Sequence, residues 1–188
     1  MSSTSKKKPV KYDKWVWLDL EMTGLDEKTC TILQAAMIIT DSSFNEVASS
    51  DITIWQPESV ISQICPYVKD MHTKNGLLNR VRTSPTSLVQ AEKQLMTQLC
   101  EHVGYQKGVL AGNSIYIDRK FLKNYMPSFE DFLHYRHIDV SSFKIVCQEW
   151  FGQKAKPPKK PSTHTALEDI RESIEELKFY KKNCFILN

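Results

Sequence analysis

The stretch Trp15-Val16-Trp17-Leu18-Asp19-Leu20-Glu21 begins too apolar to lie on a surface and ends too acidic to stay buried. Aromatic and β-branched residues in a short run predict a central strand over Trp15 to Leu20. Residues i and i+2 on a strand share a face, so Asp19 and Glu21 point one way while Leu20 points into the core. Two carboxylates this close repel unless something positive neutralises them, and a hard cation with oxygen ligands does so. An isolated Asp-x-Glu would read as a solvated strand end. At the end of an apolar strand, where open α/β sheets bind ligands, the metal reading gains.

Downstream of this strand, a turn around Gly24 and Asp26 leads to a second strand at Ile32 to Thr40 and a third at Asp51 to Trp55. Together they predict an antiparallel meander. The period then changes: Leu88, Ala91, Leu95, Leu99 and Val103 recur every three or four residues, one face of an amphipathic helix. Ser84 or Thr86 is placed to cap it. Val109 to Gly112 reads as a strand and Asp118 to Tyr125 as the helix after it. Tyr135 to Val140 and Ser141 to Trp150 repeat the pattern. Strand–helix alternation implies parallel pairing through helical crossovers.

Gly152 to Pro161 reads as a loop. The last helix starts near Thr165, with Thr165-x-x-Glu168 as a capping box and Ala166, Ile170, Ile174 and Leu177 as its inner face. The expected fold is α/β: an RNase H-like mixed sheet, antiparallel meander first and parallel strands after, flanked by helices.

Two more acids sit where such a sheet could gather them. Asp118 follows the strand ending VLAGN, and Asp169 lies beside the buried face of the last helix. His164, five residues before Asp169, stands outside that helix, and a histidine's ordinary pKa near 6.5 suits it to take a proton from water. A lone histidine here would read as an exposed loop residue; beside Asp169 a catalytic role is favoured. The acids suit Mg²⁺ or Mn²⁺.

Composition sets the class. The chain has 188 residues, 41% hydrophobic and 25% charged, enough for one domain with a sizeable core. No apolar run is long enough to span a bilayer. A net charge of +3 permits an anionic substrate without the dense basic field of a duplex-coating protein. Five widely spaced cysteines with no C-x-x-C pair predict reduced thiols and an intracellular location, cytoplasm or mitochondrion. Residues 1–13, opening on a Ser/Lys-rich stretch with no secretory h-region, are expected to be disordered, and 14–188 to form a single domain.

The order D-x-E, mid-chain Asp118, then H-x4-D resembles the DEDDh family of 3′→5′ exonucleases. The blocks DLEMTGLD (19–26), AGNS (111–114), DRKFL (118–122), YMP (125–127), HYR (134–136), DVS (139–141) and DIRES (169–173) resemble its oligoribonuclease branch, along nearly the whole chain. The resemblance implies two metal ions held by Asp19, Glu21, Asp118 and Asp169, with His164 as general base. The implied substrate is single-stranded RNA of a few nucleotides, dinucleotides included, released as nucleoside 5′-monophosphates. It also implies that Leu25 wedges between bases, Tyr67 stacks on one, and His72 contacts the 3′ side. Ser114, Arg136 and Ser141 would cap a 5′ phosphate, and in a homodimer Tyr135 would reach the partner's site. Without the resemblance, Arg136 reads as a strand-end ion pair and Tyr135 as a core aromatic.

Two positions depart from the family pattern: Gln34 stands where an acid is usual, and Tyr67 where a tryptophan is. Competing functions are an exonuclease acting on longer RNA or on DNA, a non-catalytic nucleic-acid-binding module, and a phosphatase.

Overall fold

Strand β1 (Lys14–Met22) pairs antiparallel with β2 (Ile32–Thr40), and β2 antiparallel with β3 (Glu46–Thr53). These strands come from a computed structural model that describes residues 12–157 and 165–185. Between β3 and the next strand lie α1 (Glu58–Ile61), α2 (Pro66–Lys74), α3 (Leu77–Thr83) and α4 (Leu88–His102). Strand β4 (Gly108–Gly112) then runs parallel along the other edge of β1, from Lys14↔Gly108 to Trp17↔Ala111. After α5 (Tyr116–Tyr125) and α6 (Pro127–Phe132), β5 (His137–Asp139) pairs parallel with β4. Helices α7 (Val140–Phe151) and α8 (Ala166–Cys184) follow. The sheet order β3-β2-β1-β4-β5 is the mixed, helix-flanked arrangement expected of an RNase H-like fold.

The pleat of β1 sorts its side chains into two layers. Val16, Leu18 and Leu20 pack in one core with Ala91, Leu95 and Leu99 of α4 and with Phe121 and Phe129. Trp17 packs in the other with Ala36, Ile38, Val140, Ile170, Ile174 and Leu177, and its indole N–H donates to Thr40 Oγ1 at 3.0 Å. Asp19 and Glu21 share the parity of Trp17, so they emerge on the side covered by α8. The predicted inner face of α8 is the face it buries.

Several boundaries differ from expectation. Strand β3 begins at Glu46 rather than Asp51 and stops before Trp55. It is an edge strand with a polar, half-exposed start, and it lacks the hydrophobic run that marks a central strand. Helix α4 is capped by Ser87, not by Ser84 or Thr86: Ser87 Oγ accepts from Gln90 N–H, and Gln90 Oε1 accepts from Ser87 N–H. The Ser84 hydroxyl instead donates to Thr53 O at 2.7 Å. The capping box at Thr165 does not form; Glu168 pairs with Arg171 at 2.6 Å.

Strand β5 is shorter than expected, because Tyr135 is exposed and Val140 opens α7. Of the stretch read as a loop, Gly152–Ala155 forms a 3₁₀ turn, and residues 158–164 lie outside the described part. Residues 1–11 of the segment expected to be disordered also lie outside it. The Asp13 N–H donates to Lys107 O at 3.0 Å, extending the line of β1–β4 pairing.

Candidate active site

Where β1 outruns β4, three acids converge. Asp19 and Glu21 from β1 and Asp169 from the first turn of α8 each offer a carboxylate oxygen, all within 4.8 Å of one another. The pleat aims the first two, and the buried stripe of α8 fixes the third. The helix N-terminus also favours a negative charge at Asp169.

Asp118, in the first turn of α5, stands behind them. It is almost wholly buried, and its Oδ1 accepts the Leu20 N–H at 3.0 Å. Parallel pairing along this edge ends at Trp17, so the Leu20 amide would otherwise be unsatisfied.

The electrostatics are those of a crowded anionic site. Burial, then the charges of Asp169 and Asp118, push the Glu21 carboxyl up to about 7, with Arg80 pulling the other way. Burial pushes Asp118 up to about 7, against hydrogen bonds from the backbone of Leu20 and of Asp118 itself. Oxygen-only ligands, close together and reluctant to ionise alone, fit a hard divalent cation.

A polar network ties this cluster to the next part of the site. Asp139 Oδ1 accepts from the N–H groups of Ser141 and Ser114 and so caps α7. The Ser114 and Ser141 hydroxyls lie 3.2 Å apart, and Ser114 is held in the left-handed region at φ 49°. Ser141 Oγ donates to Asn113 Oδ1, Asn113 Nδ2 donates to Ser173 Oγ, and Ser173 Oγ donates to Asp169 O. Asn113, Asp139 and Ser173 belong to this network, and the sequence reading gave them no role. Their only signal was membership of the blocks AGNS, DVS and DIRES.

His72 is buried against β1. Its Nε2 lies 3.1 Å from Met22 O, which accepts a hydrogen bond from it, and burial lowers its pKa, keeping the ring neutral. Its Nδ1 faces Glu21 Oε2 at 3.8 Å and has no hydrogen-bond partner among the described residues. Leu25, Tyr67 and Tyr135 are 71%, 80% and 71% exposed, so Tyr135 is no core aromatic. Leu25 rides on a loop drawn tight by Thr23 N–H to Thr31 O, where a Cβ on Gly24 would sit 2.7 Å from Cys30 Sγ and displace that side chain.

Arg136 forms no strand-end ion pair among the described residues; its Nη1 donates to the Tyr12 hydroxyl at 3.0 Å. His164 lies outside the described residues. Gln34, the cross-strand neighbour of Glu21, donates from its amide to Asp51.

An exonuclease family model of the RNase T type matches residues 16–177. The oligoribonuclease of Francisella tularensis is 44% identical over 171 residues, 90% of this chain and 95% of that protein. A probable oligoribonuclease of Caenorhabditis elegans is 42% identical over 91% of this chain and 89% of its own. Among solved structures, exonuclease I of Methylocaldum szegediense superposes with a TM-score of 0.71 at 14% identity. E. coli exonuclease I in complex with an oligonucleotide superposes with a TM-score of 0.70, also at 14% identity. The chain spans 41% of the length of each of these two exonuclease I chains, covering 91% and 92% of its own, so they speak for the fold. With an acid cluster at the end of its central strand, the chain belongs to the RNase T family of 3′→5′ exonucleases, in its oligoribonuclease branch.

Proposed function

We propose that the protein hydrolyses very short RNA, dinucleotides above all, to nucleoside 5′-monophosphates. The observation that carries this reading is the convergence of Asp19, Glu21 and Asp169 at a strand end flanked by exposed residues suited to bases. Asp19, Glu21, Asp118 and Asp169 would hold two divalent ions, Mg²⁺ or Mn²⁺, which when bound acidify an attacking water and stabilise the leaving 3′-oxygen. His164 takes the proton of that water. Leu25 and Tyr67 hold the bases, and a solvent-exposed ring at Tyr67 can stack as a tryptophan would. The 3′-side contact falls to His72, whose Nδ1 has no hydrogen-bond partner among the described residues.

Length selection comes from the other end. The adjacent hydroxyls of Ser114 and Ser141, with Arg136, cap a 5′ phosphate. In this reading the protein acts as a homodimer. Val146 and Trp150, one turn apart, leave exposed apolar side chains on one face of α7, and Tyr135 extends from one copy into the site of the other. No helix among the described residues is long and apolar enough to cross a membrane, and all five cysteines are unpaired. The free thiols suit a place in the cytoplasm or mitochondrion.

Labelled oligoribonucleotides of graded length test the proposal. Turnover should be greatest for the dinucleotide, absent for a mononucleotide ester, and weak on longer RNA or DNA strands. His164→Ala should lower kcat by roughly 10²–10⁴-fold. Equal rates on a dinucleotide and a long strand would assign the protein to general 3′-end degradation instead.

A further inference from the structure

Tyr12 lies outside the residues matched by the exonuclease family, yet it reaches the residue placed at the 5′ end of the substrate. Its hydroxyl accepts a hydrogen bond from Arg136 Nη1 at 3.0 Å. Its ring meets the His134 ring edge-on, with centroids 5.0 Å apart. His134 is itself buried and stacks on Tyr135 at 4.5 Å. Its Nδ1 accepts the Arg136 N–H at 3.0 Å. The Arg136 guanidinium lies over the Tyr135 ring at 5.2 Å.

The base of this assembly is rigid. The His134 N–H donates to Gly108 O at 2.8 Å, and the His134 carbonyl accepts from Arg119 Nη2 at 3.0 Å. Arg119 pairs with Glu130 at 2.9 Å. Tyr12 closes it from the opposite side, held in register by the bond from the Asp13 N–H to Lys107 O.

We infer that Tyr12 is a positioning residue for 5′-phosphate recognition: it orients the Arg136 guanidinium and, through His134, braces Tyr135. The inference rests on the reading that Arg136 caps a 5′ phosphate. An arginine on an exposed strand end samples many rotamers, and fixing one on binding costs affinity. A guanidinium carries five N–H donors in a planar fork, so a bond through Nη1 sets the plane without using up the fork. The ring of Tyr12 also limits how far His134, and with it the Tyr135 stack, can tilt. The segment preceding β1 thereby becomes part of substrate selection.

The test compares a dinucleotide with and without its 5′ phosphate, using the full chain and the variants Tyr12→Phe, Tyr12→Ala and Arg136→Ala. Tyr12→Phe keeps the ring contact and loses the hydroxyl. It should raise KM for the phosphorylated dinucleotide about two- to tenfold, the worth of one hydrogen bond, with kcat retained. The unphosphorylated dinucleotide should show no such change, and Tyr12→Phe combined with Arg136→Ala should be no worse than Arg136→Ala alone. Tyr12→Ala should add a loss through Tyr135. Should Arg136→Ala erase the preference for the phosphate while Tyr12→Phe keeps it intact, the role of Tyr12 is overturned and the cap stands. Should Arg136→Ala leave that preference unchanged, the cap reading itself fails and this inference falls with it. Equal losses on both dinucleotides in Tyr12→Phe would make Tyr12 a purely structural brace and overturn the inference.

Discussion

The Asp118 carboxylate accepts a hydrogen bond from the backbone N–H of Leu20 at 3.0 Å, across 98 positions of sequence. One oxygen of an acid proposed for the metal site thus completes the edge of the central strand. In the proposed reading, structure and chemistry share a side chain here, and substitution can separate them.

Asp118→Asn keeps an oxygen acceptor for Leu20 but cannot ionise, whereas Asp118→Ala removes both properties. Both should lose hydrolysis. Since both remove the buried charge, their difference in stability reports the backbone hydrogen bonds that the side chain accepts, that of Leu20 among them. Asp118→Ala should be the less stable by about 1–3 kcal/mol, the cost of an orphaned buried amide. Denaturant unfolding of the two variants in a chelator measures this directly. Equal midpoints would mean that solvent reaches the Leu20 N–H.

The raised carboxyls set a pH dependence with a definite sign. Glu21 and Asp118 titrate near 4.5 and 3.8 when unperturbed, and both are pushed up to about 7 in the folded protein. Between those values the folded state holds protons that the unfolded chain has released. Metal-free stability should therefore be highest below about pH 4 for these two groups, fall as pH rises to about 7, and level off above. Glu21 alone accounts for a loss on the order of 3 kcal/mol. Millimolar Mg²⁺ or Mn²⁺ should flatten this slope, so the gain in Tm on adding metal should grow with pH. A metal-induced gain that is constant from pH 5 to 8 would show that these carboxyls ionise normally.

Gly24 gives a test of how tightly the Leu25 loop is drawn. A Cβ there would meet Cys30 Sγ at 2.7 Å, closer than van der Waals contact allows. Gly24→Ala should cost about 1–3 kcal/mol through overpacking and reduce kcat/KM on a dinucleotide by shifting Leu25. Cys30→Ala removes the obstructing sulfur, so the double variant should recover most of both losses. A double variant no better than Gly24→Ala would trace the loss to backbone conformation instead.

Much of this was legible in the sequence because it depended on short-range pattern. The run before Asp19 identified the central strand, the i, i+2 rule put Asp19 and Glu21 together, and the spacing of Ala166, Ile170, Ile174 and Leu177 identified the inner face of α8. Features with no periodic signature were hidden. The start of β3 is polar because it lies at the sheet edge, and α1, α3 and α6 are too short to display a repeat. Ser84, Thr86 and Ser87 are chemically alike as caps, and only the Gln90 side chain singles out Ser87. The burial of His72 and the bond from the Leu20 N–H to Asp118 join distant segments, so no local window could contain them.

Ser173 offers the strictest separation of scaffold from site. Its hydroxyl donates to Asp169 O at 2.8 Å, one turn back along α8, and accepts from Asn113 Nδ2 at 2.7 Å. It therefore ties the end of β4 to the helical turn that presents Asp169. Ser173→Ala breaks both bonds and leaves a largely buried amide without its partner, which should cost about 1–2 kcal/mol of stability. If the network holds Asp169 in place, the cost should also appear in metal use. The Mg²⁺ or Mn²⁺ concentration for half-maximal activity should rise roughly three- to tenfold, the equivalent of about 0.7–1.4 kcal/mol, with kcat at saturating metal close to normal. Asn113→Ala should produce the same shift, and the double variant little more than either, because the two residues act through one bond. A purely structural role would lower Tm and leave the metal midpoint where it was. That outcome would leave Asp169 positioned by the buried face of α8 alone.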